Sequence, residues 1–332
     1  MARSEPLVRL TRGGHEESVH TGILVVIEHG RPTLVCGDPG RVVFYRSASK
    51  PLQALELVRS GAADAFGLSD AELAIAAGSH SAEPRHLDAV RSMLKAGGVP
   101  ETCLRCGGHR SVNPKVAFAQ TRDGVAITSL HSNCSGKHAG MLLAARHKGA
   151  PLETYTELTH PVQLAIASHV VLFGGVPREK VLAGVDGCGA PALAVPMEAM
   201  ARSIANVANP DGMPLDLAAA ARRVARAMIA HPEMVAGEDR FDTDLMLAAK
   251  GRVLAKAGAE GVFVVGAADR RLGLAVKADD GADRGYRLVV LEVLRRRGLL
   301  DDDAFAALAK KHAPTIVTNL AGEPVGRMDV AF

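Results

Sequence analysis

Apolar and polar positions divide this chain into two ends that alternate and a middle that turns with a helical period. Residues 19–37, VHTGILVVIEHGRPTLVCG, hold two β-branched runs broken by His29, Gly30, Arg31 and Pro32, which predicts a hairpin. Residues 262–277, VFVVGAADRRLGLAVK, repeat the pattern with a turn around Asp269 to Arg271. A helix is expected over 284–297, stopped by Gly298, and a last strand over 324–331. The long middle is Ala-rich. A short helix over 52–60 stops at Gly61, and Ser69 with Glu72 makes a capping box for the next one. Further helices fit 84–96, 138–147, 161–173, 195–208, 214–230 and 242–257, while VAITSL (125–130) reads as a strand. The pattern predicts an α/β chain whose sheet is assembled from both ends around a large helical insertion. Residues 1–49 with 256–332 would form the sheet-containing domain and 50–255 the helical one, with an active site at their junction.

Composition removes several function classes. Aromatics are 3% of 332 residues and Trp is absent, so the core is built from Ala, Leu and Val, and base-stacking platforms are not expected. Net charge is +3, which asks for no polyanionic partner. No apolar run of about 18 residues is free of charge, so no membrane span is expected. The N-terminus, MARSEPLVRLTRGG, does not read as a secretory signal. Five cysteines suit a reduced compartment better than a disulfide framework. The expectation is a soluble, cytoplasmic protein without nucleic-acid or membrane partners.

Four clusters carry candidate chemistry. In RSASKP (46–51), Ser47 and Lys50 stand one helical turn apart; a serine becomes a nucleophile when a neutral lysine takes its proton. The same spacing also suits a helix cap and a solvated lysine. GSHS (78–81) offers Ser79 and His80 as a second nucleophile or relay, or as plain turn chemistry. HSNCSGKHAG (131–140) gathers Asn133, Cys134, Lys137 and His138 at a turn into a helix, where free N–H groups can hold an anion. GVDGCGAP (184–191) sets Asp186 and Cys188 among glycines. Lys256, before Ala257 and Gly258, is either a second active lysine or a surface lysine at a helix end. Cys103 and Cys106 form one C-x-x-C with His109 nearby, which without a second pair is weak evidence for metal or redox chemistry.

These stretches, with YRSASKPLQA, AAGSHSAEPRH, CGGHRSVNP, HPEMVAGEDRFDTDLM, KAGAEGVF and KADDGADRG, make the chain resemble the rhizobial-type (class 3) L-asparaginases. The resemblance spans about residues 40–290. It implies a serine β-lactamase-like fold, shared with glutaminases, and hydrolysis of L-asparagine to L-aspartate and ammonia. It implies two serine–lysine tandems, Ser47 with Lys50 and Ser79 with Lys256. Arg46 and Asp186 match positions that hold substrate charge, and Cys134, Lys137 and Cys188 match a zinc-binding trio, one zinc per chain. A homodimer is implied, and no organic cofactor is expected. His80 and Asn133 are further candidate substrate contacts. Ala48 and Ala257 depart from the family's usual residues and leave the serines and lysines intact. Ser47, at a helix start, is ranked above Ser79 as the acyl carrier. The rivals are a glutaminase, a β-lactamase-like acyltransferase and a non-enzymatic zinc or redox sensor.

Overall fold

A computed structural model describes residues 3–332. Eleven strands form two sheets. They are β1 (Glu5–Arg12), β2 (His15–Glu28), β3 (Arg31–Cys36), β4 (Val42–Phe44), β5 (Leu182–Val185), β6 (Pro191–Pro196), β7 (Leu254–Ala257), β8 (Val262–Ala267), β9 (Leu272–Ala278), β10 (Ile316–Thr318) and β11 (Pro324–Val330). The large sheet runs β10-β11-β1-β2-β9-β8-β7, with β3 also on β2, and every pairing is antiparallel. It is an α/β fold whose sheet comes from both chain ends. Its central strands are buried on both faces: every residue of β8 and all of Ile23–Ile27 in β2 are buried. Such burial needs cover on both sides. Arg284–Arg296 packs on β1 and β9, and Met197–Ala208 on β8 and β9. Contact with the second helix is close. A methyl group at Gly273 would lie 1.9 Å from the Ala201 carbonyl oxygen, so only glycine lets helix and sheet approach there.

Both expected hairpins form. His29 and Gly30 take positive φ (49° and 80°) in the two-residue turn between β2 and β3, the geometry that suits the twist of a hairpin. The Ser69–Glu72 capping box is present, each side chain bonding the other's backbone N–H. Three expectations fail. VAITSL makes no strand; it is irregular chain leading into a 3-10 turn at Ser129–His131. The 242–257 helix stops at Ala248, because Lys250 and Gly251 (φ 54° and 81°) reverse the chain and Leu254–Ala257 pairs with β8 instead. Lys256 therefore stands on a strand opposite Val264 and is buried, neither at a helix end nor on the surface. Two strands of the mostly helical middle, β5 and β6, join β4 in a small second sheet, β4-β6-β5, that the sequence pattern did not indicate. One hydrophobic core runs through the sheet and the helical region together.

Candidate active site

Ser47 lies in a 3-10 turn, Arg46–Ser49, immediately before the helix Lys50–Arg59. In a 3-10 turn, side chains three residues apart eclipse, so Ser47 and Lys50 share a face. The turn is anchored by Tyr45 N–H donating to Leu193 O on β6, and Arg46 takes a positive φ of 51°, unusual for a side chain of its size. Gly258 closes the other side. A Cβ there would meet the Tyr45 carbonyl oxygen at 2.6 Å, so β7 and Lys256 approach this turn only because position 258 lacks a side chain.

Lys50 is fully buried, and its Nζ has three oxygen partners. These are Gly78 O at 2.7 Å, Ser79 Oγ at 2.9 Å and Asn133 O at 3.2 Å. Two are backbone carbonyls, which only accept. The third is a hydroxyl, which can do either. An ammonium donates to all three; a neutral amine donates to the two carbonyls and accepts the proton of Ser79. Burial lowers the Lys50 pKa, and neighbouring Lys137 adds to this. The partner of Lys50 is thus Ser79, where the resemblance implied Ser47. Ser79 is itself held by its N–H bond to Val235 O, 2.6 Å, past a Gly78 that could carry no Cβ. Close packing delivers Asn133: a Cβ on Gly136 would stand 2.5 Å from Ile75 O, so the helix Ser135–His147 sits directly on the end of Asp70–Ala76.

The Ser47 hydroxyl makes no hydrogen bond among the described residues, and Ser47 is half-buried where Ser79 is 5% exposed. Lys256 Nζ does not bond Ser79. It donates to Ala257 O at 2.8 Å and stands 3.5 Å from Asp242 Oδ1, both Lys256 and Asp242 being 1% exposed. Burial lowers the Lys256 pKa to about 8, opposed by Asp242 and reinforced by Lys50 and Arg240. Asp242 also accepts from Ala257 N–H at 2.6 Å. The sequence pattern did not mark Asp242 as a site residue. An acidic residue in the first turn of a helix reads as dipole compensation, and only the fold puts it against Lys256.

Arg46 and Asp186 face each other, with Nε and Nη2 donating to Oδ1 at 3.1 and 3.0 Å. Asp186 occupies the β5–β6 turn, closed by Gly189 at φ 80°. Burial would raise its pKa, but Lys137 and Arg46 outweigh that and hold it ionised. Asn133 is half-buried; its backbone N–H bonds His109 Nε2. His80 lies behind the site. It is fully buried, its Nε2 bonds Ser135 Oγ at 2.8 Å and its Nδ1 accepts from Ala82 N–H, so both nitrogens are occupied and burial keeps the ring neutral.

A thiol corner adjoins Lys50. Cys134 caps the helix that carries Lys137, and the β5–β6 turn brings Cys188 to them. Lys137 Nζ lies 3.0 Å from Cys188 Sγ. A hydrogen bond from Cys188 pulls the Cys134 thiol pKa well down, with Lys50 and Lys137 helping; the same bond raises that of Cys188. Burial opposes the Lys137 charge, but the two sulfurs outweigh it. Two thiols and an amine, all buried, make a three-donor set of the kind zinc accepts with a fourth position open. No group of three or more His, Cys, Asp or Glu is arranged for a metal among the described residues. Cys106 donates to Ser129 O, and all five cysteines are free.

Among solved structures, the chain is similar to a β-lactamase from Mycobacterium bovis (12% identity, 84% of this chain and 95% of that one, TM-score 0.47). It is also similar to Mglu in its tris and glutamate form (14% identity, 85% of this chain and 60% of that one, TM-score 0.41). A search of the curated proteins finds no significant match. No helix among the described residues is long and apolar enough to cross a membrane. The family model of L-asparaginase II matches residues 8–330. The chain belongs to the L-asparaginase II family and is an amidohydrolase.

Proposed function

We propose that this chain hydrolyses L-asparagine to L-aspartate and ammonia through a serine ester, with Lys50 as the base. The observation that carries the reading is the seat of Lys50. Its three oxygen partners satisfy both the neutral and the charged amine, because Ser79 alone reverses its role, so a proton can be taken up without rearrangement. Ser47 attacks the side-chain amide and gives its proton to the Lys50–Ser79 pair; its greater exposure and free hydroxyl favour it over Ser79. Asp186 receives the substrate ammonium and Arg46 its carboxylate, with the Asn133 side chain beside them. His80 supports this wall through Ser135. Ammonia leaves after protonation, and water then cleaves the aspartyl ester as the Lys50 ammonium returns its proton to Ser47.

Zinc belongs to the same reading. Cys134, Lys137 and Cys188 would hold it after Lys137 and Cys188 lose their protons. When bound it supplies a fixed positive charge beside the serine–lysine pair. A homodimer and a cytoplasmic setting complete the reading. Exposed Leu182 and Val185 on the edge strand β5 favour the first, and free thiols the second.

Ammonia release from L-asparagine and L-glutamine, wild type beside Ser47→Ala, tests the substrate. Faster release from asparagine than from glutamine, both abolished by the substitution, is expected. One methylene is worth only about 1–3 kcal/mol of discrimination, so some glutamine turnover is compatible with the site. An electrophilic asparagine analogue followed by peptide mass mapping tests the acyl carrier: the label is expected on Ser47, and a label on Ser79 with Ser47 free would exchange the two roles.

A further inference from the structure

Lys256 differs from Lys50 in what surrounds it. On β7 its Nζ has a backbone carbonyl, Ala257 O, at 2.8 Å and the Asp242 carboxylate at 3.5 Å. Neither can hand it a proton while Asp242 is ionised, and backbone bonding together with Lys256 and Arg240 keeps it so against the effect of burial. Asp242 does two jobs with one oxygen. Its Oδ1 accepts from Ala257 N–H at 2.6 Å, which fixes the end of β7, and the same atom faces the ammonium. A buried ion pair gives little net stability, and an apolar pair of like volume would serve the core as well. An ion pair buried at this position, on the strand that packs against the turn carrying Ser47, points to chemistry.

We propose that Asp242 is a positioning residue, which holds Lys256 as a cation at the serine–lysine centre and so makes Lys256 the acid that protonates departing ammonia while Lys50 is the base. The inference rests on the serine–lysine reading above. The proton moves from Lys256 Nζ to the leaving nitrogen as its bond to the acyl carbon breaks; the water that then cleaves the ester returns a proton to neutral Lys256, while the Lys50 ammonium returns its own to Ser47. The charged groups facing Lys256 are Asp242 from the helix Phe241–Ala248, Arg240 from the loop before it and Lys50 from the neighbouring turn. Its partner on β8 is apolar Val264, and the helix Leu215–Ala230 packs against β7 with a face of buried Ala, Val and Met.

The test is the pH profile of kcat and KM, from pH 5.5 to 9.5, for wild type, Asp242→Asn and Lys256→Met. Wild type should lose kcat on an alkaline limb near pH 8. In Asp242→Asn that limb should move at least one unit toward acid, so that activity falls about fivefold or more at pH 8, less at pH 6, with KM changed under threefold. A purely structural Asp242 would lower kcat by one factor at every pH and leave the limb in place, which overturns the proposal. Lys256→Met with kcat within threefold of wild type would instead remove Lys256 from the reaction, a failure of the underlying reading. Should Asp242→Asn not fold, Asp242→Glu keeps the charge but displaces it. The limb should then stay within half a unit while kcat falls about tenfold, and an unchanged kcat would overturn the proposal.

Discussion

The two buried lysines make the informative comparison in this molecule. Lys50 and Lys256 are equally inaccessible and lie near each other. Lys50 ends among two carbonyls and a hydroxyl, Lys256 beside a carboxylate. Burial lowers the pKa of both, yet their partners differ in one property: only a hydroxyl can reverse donor and acceptor. Environments that separate two like groups assign them different roles, and here the separation is made by hydrogen-bonding chemistry at equal burial.

The hardest blow to this contrast is Lys50→Met. It should leave the fold intact and reduce turnover on the order of 10³-fold. Circular dichroism alongside ammonia release checks it, and near-normal kcat would end the case for Lys50 as base. Next comes the thiol corner on the Lys50 side. Purified wild type should carry about one zinc per chain by elemental analysis, and Cys134→Ser with Cys188→Ser should carry none. Equal stoichiometry would move the metal to Cys103, Cys106 and His109.

The Lys256 side has a signature in stability. Its folded pKa, about 8, lies below the ordinary lysine value. Between these values the unfolded chain binds the extra proton, so stability rises with pH through that window. The cost of burying Lys256 is therefore full below pH 8 and relieved above it, by up to roughly 3 kcal/mol. Denaturant unfolding from pH 7 to 10 should show wild type gaining on Lys256→Met, and parallel curves would contradict the assignment. The smallest effect is expected at Gly136→Ala. The added methyl meets Ile75 O at 2.5 Å, which should destabilise by about 1–3 kcal/mol and lower the pH at which activity sets in, because a Lys50 ammonium that loses the Asn133 O acceptor gives up its proton more readily. An unchanged Tm would show that the two helices yield freely.

Local patterns carried far in this chain wherever neighbours in sequence decide the outcome. The hairpins around Gly30 and Asp269, the Ser69–Glu72 box and the helix ended by Gly298 were all readable, because each is fixed by turn chemistry or a cap within a few residues. The site clusters were readable as residue types: Lys50 meets Ser79 and lies beside Cys134, and Lys137 meets Cys188 and lies beside Asp186. Elements that depend on distant pairing were not. β7 looks helical in Leu254–Ala257 until β8 supplies its hydrogen bonds, and VAITSL alternates like a strand yet finds no edge to join.

By itself, then, the sequence determined the reactive groups, their order along the chain and the two-ended sheet, since periodicity and caps act locally. Tertiary structure alone decided the partners. Ser79 rather than Ser47 meets Lys50, because glycines at 78 and 136 let three segments close on one amine. Asp242 meets Lys256 across a reversed chain at Lys250 and Gly251 that the helical pattern conceals. A side chain's type is fixed by its codon, but whether its neighbour is a hydroxyl or a carboxylate depends on packing between segments far apart in the chain, and that neighbour shifts how tightly each lysine holds its proton.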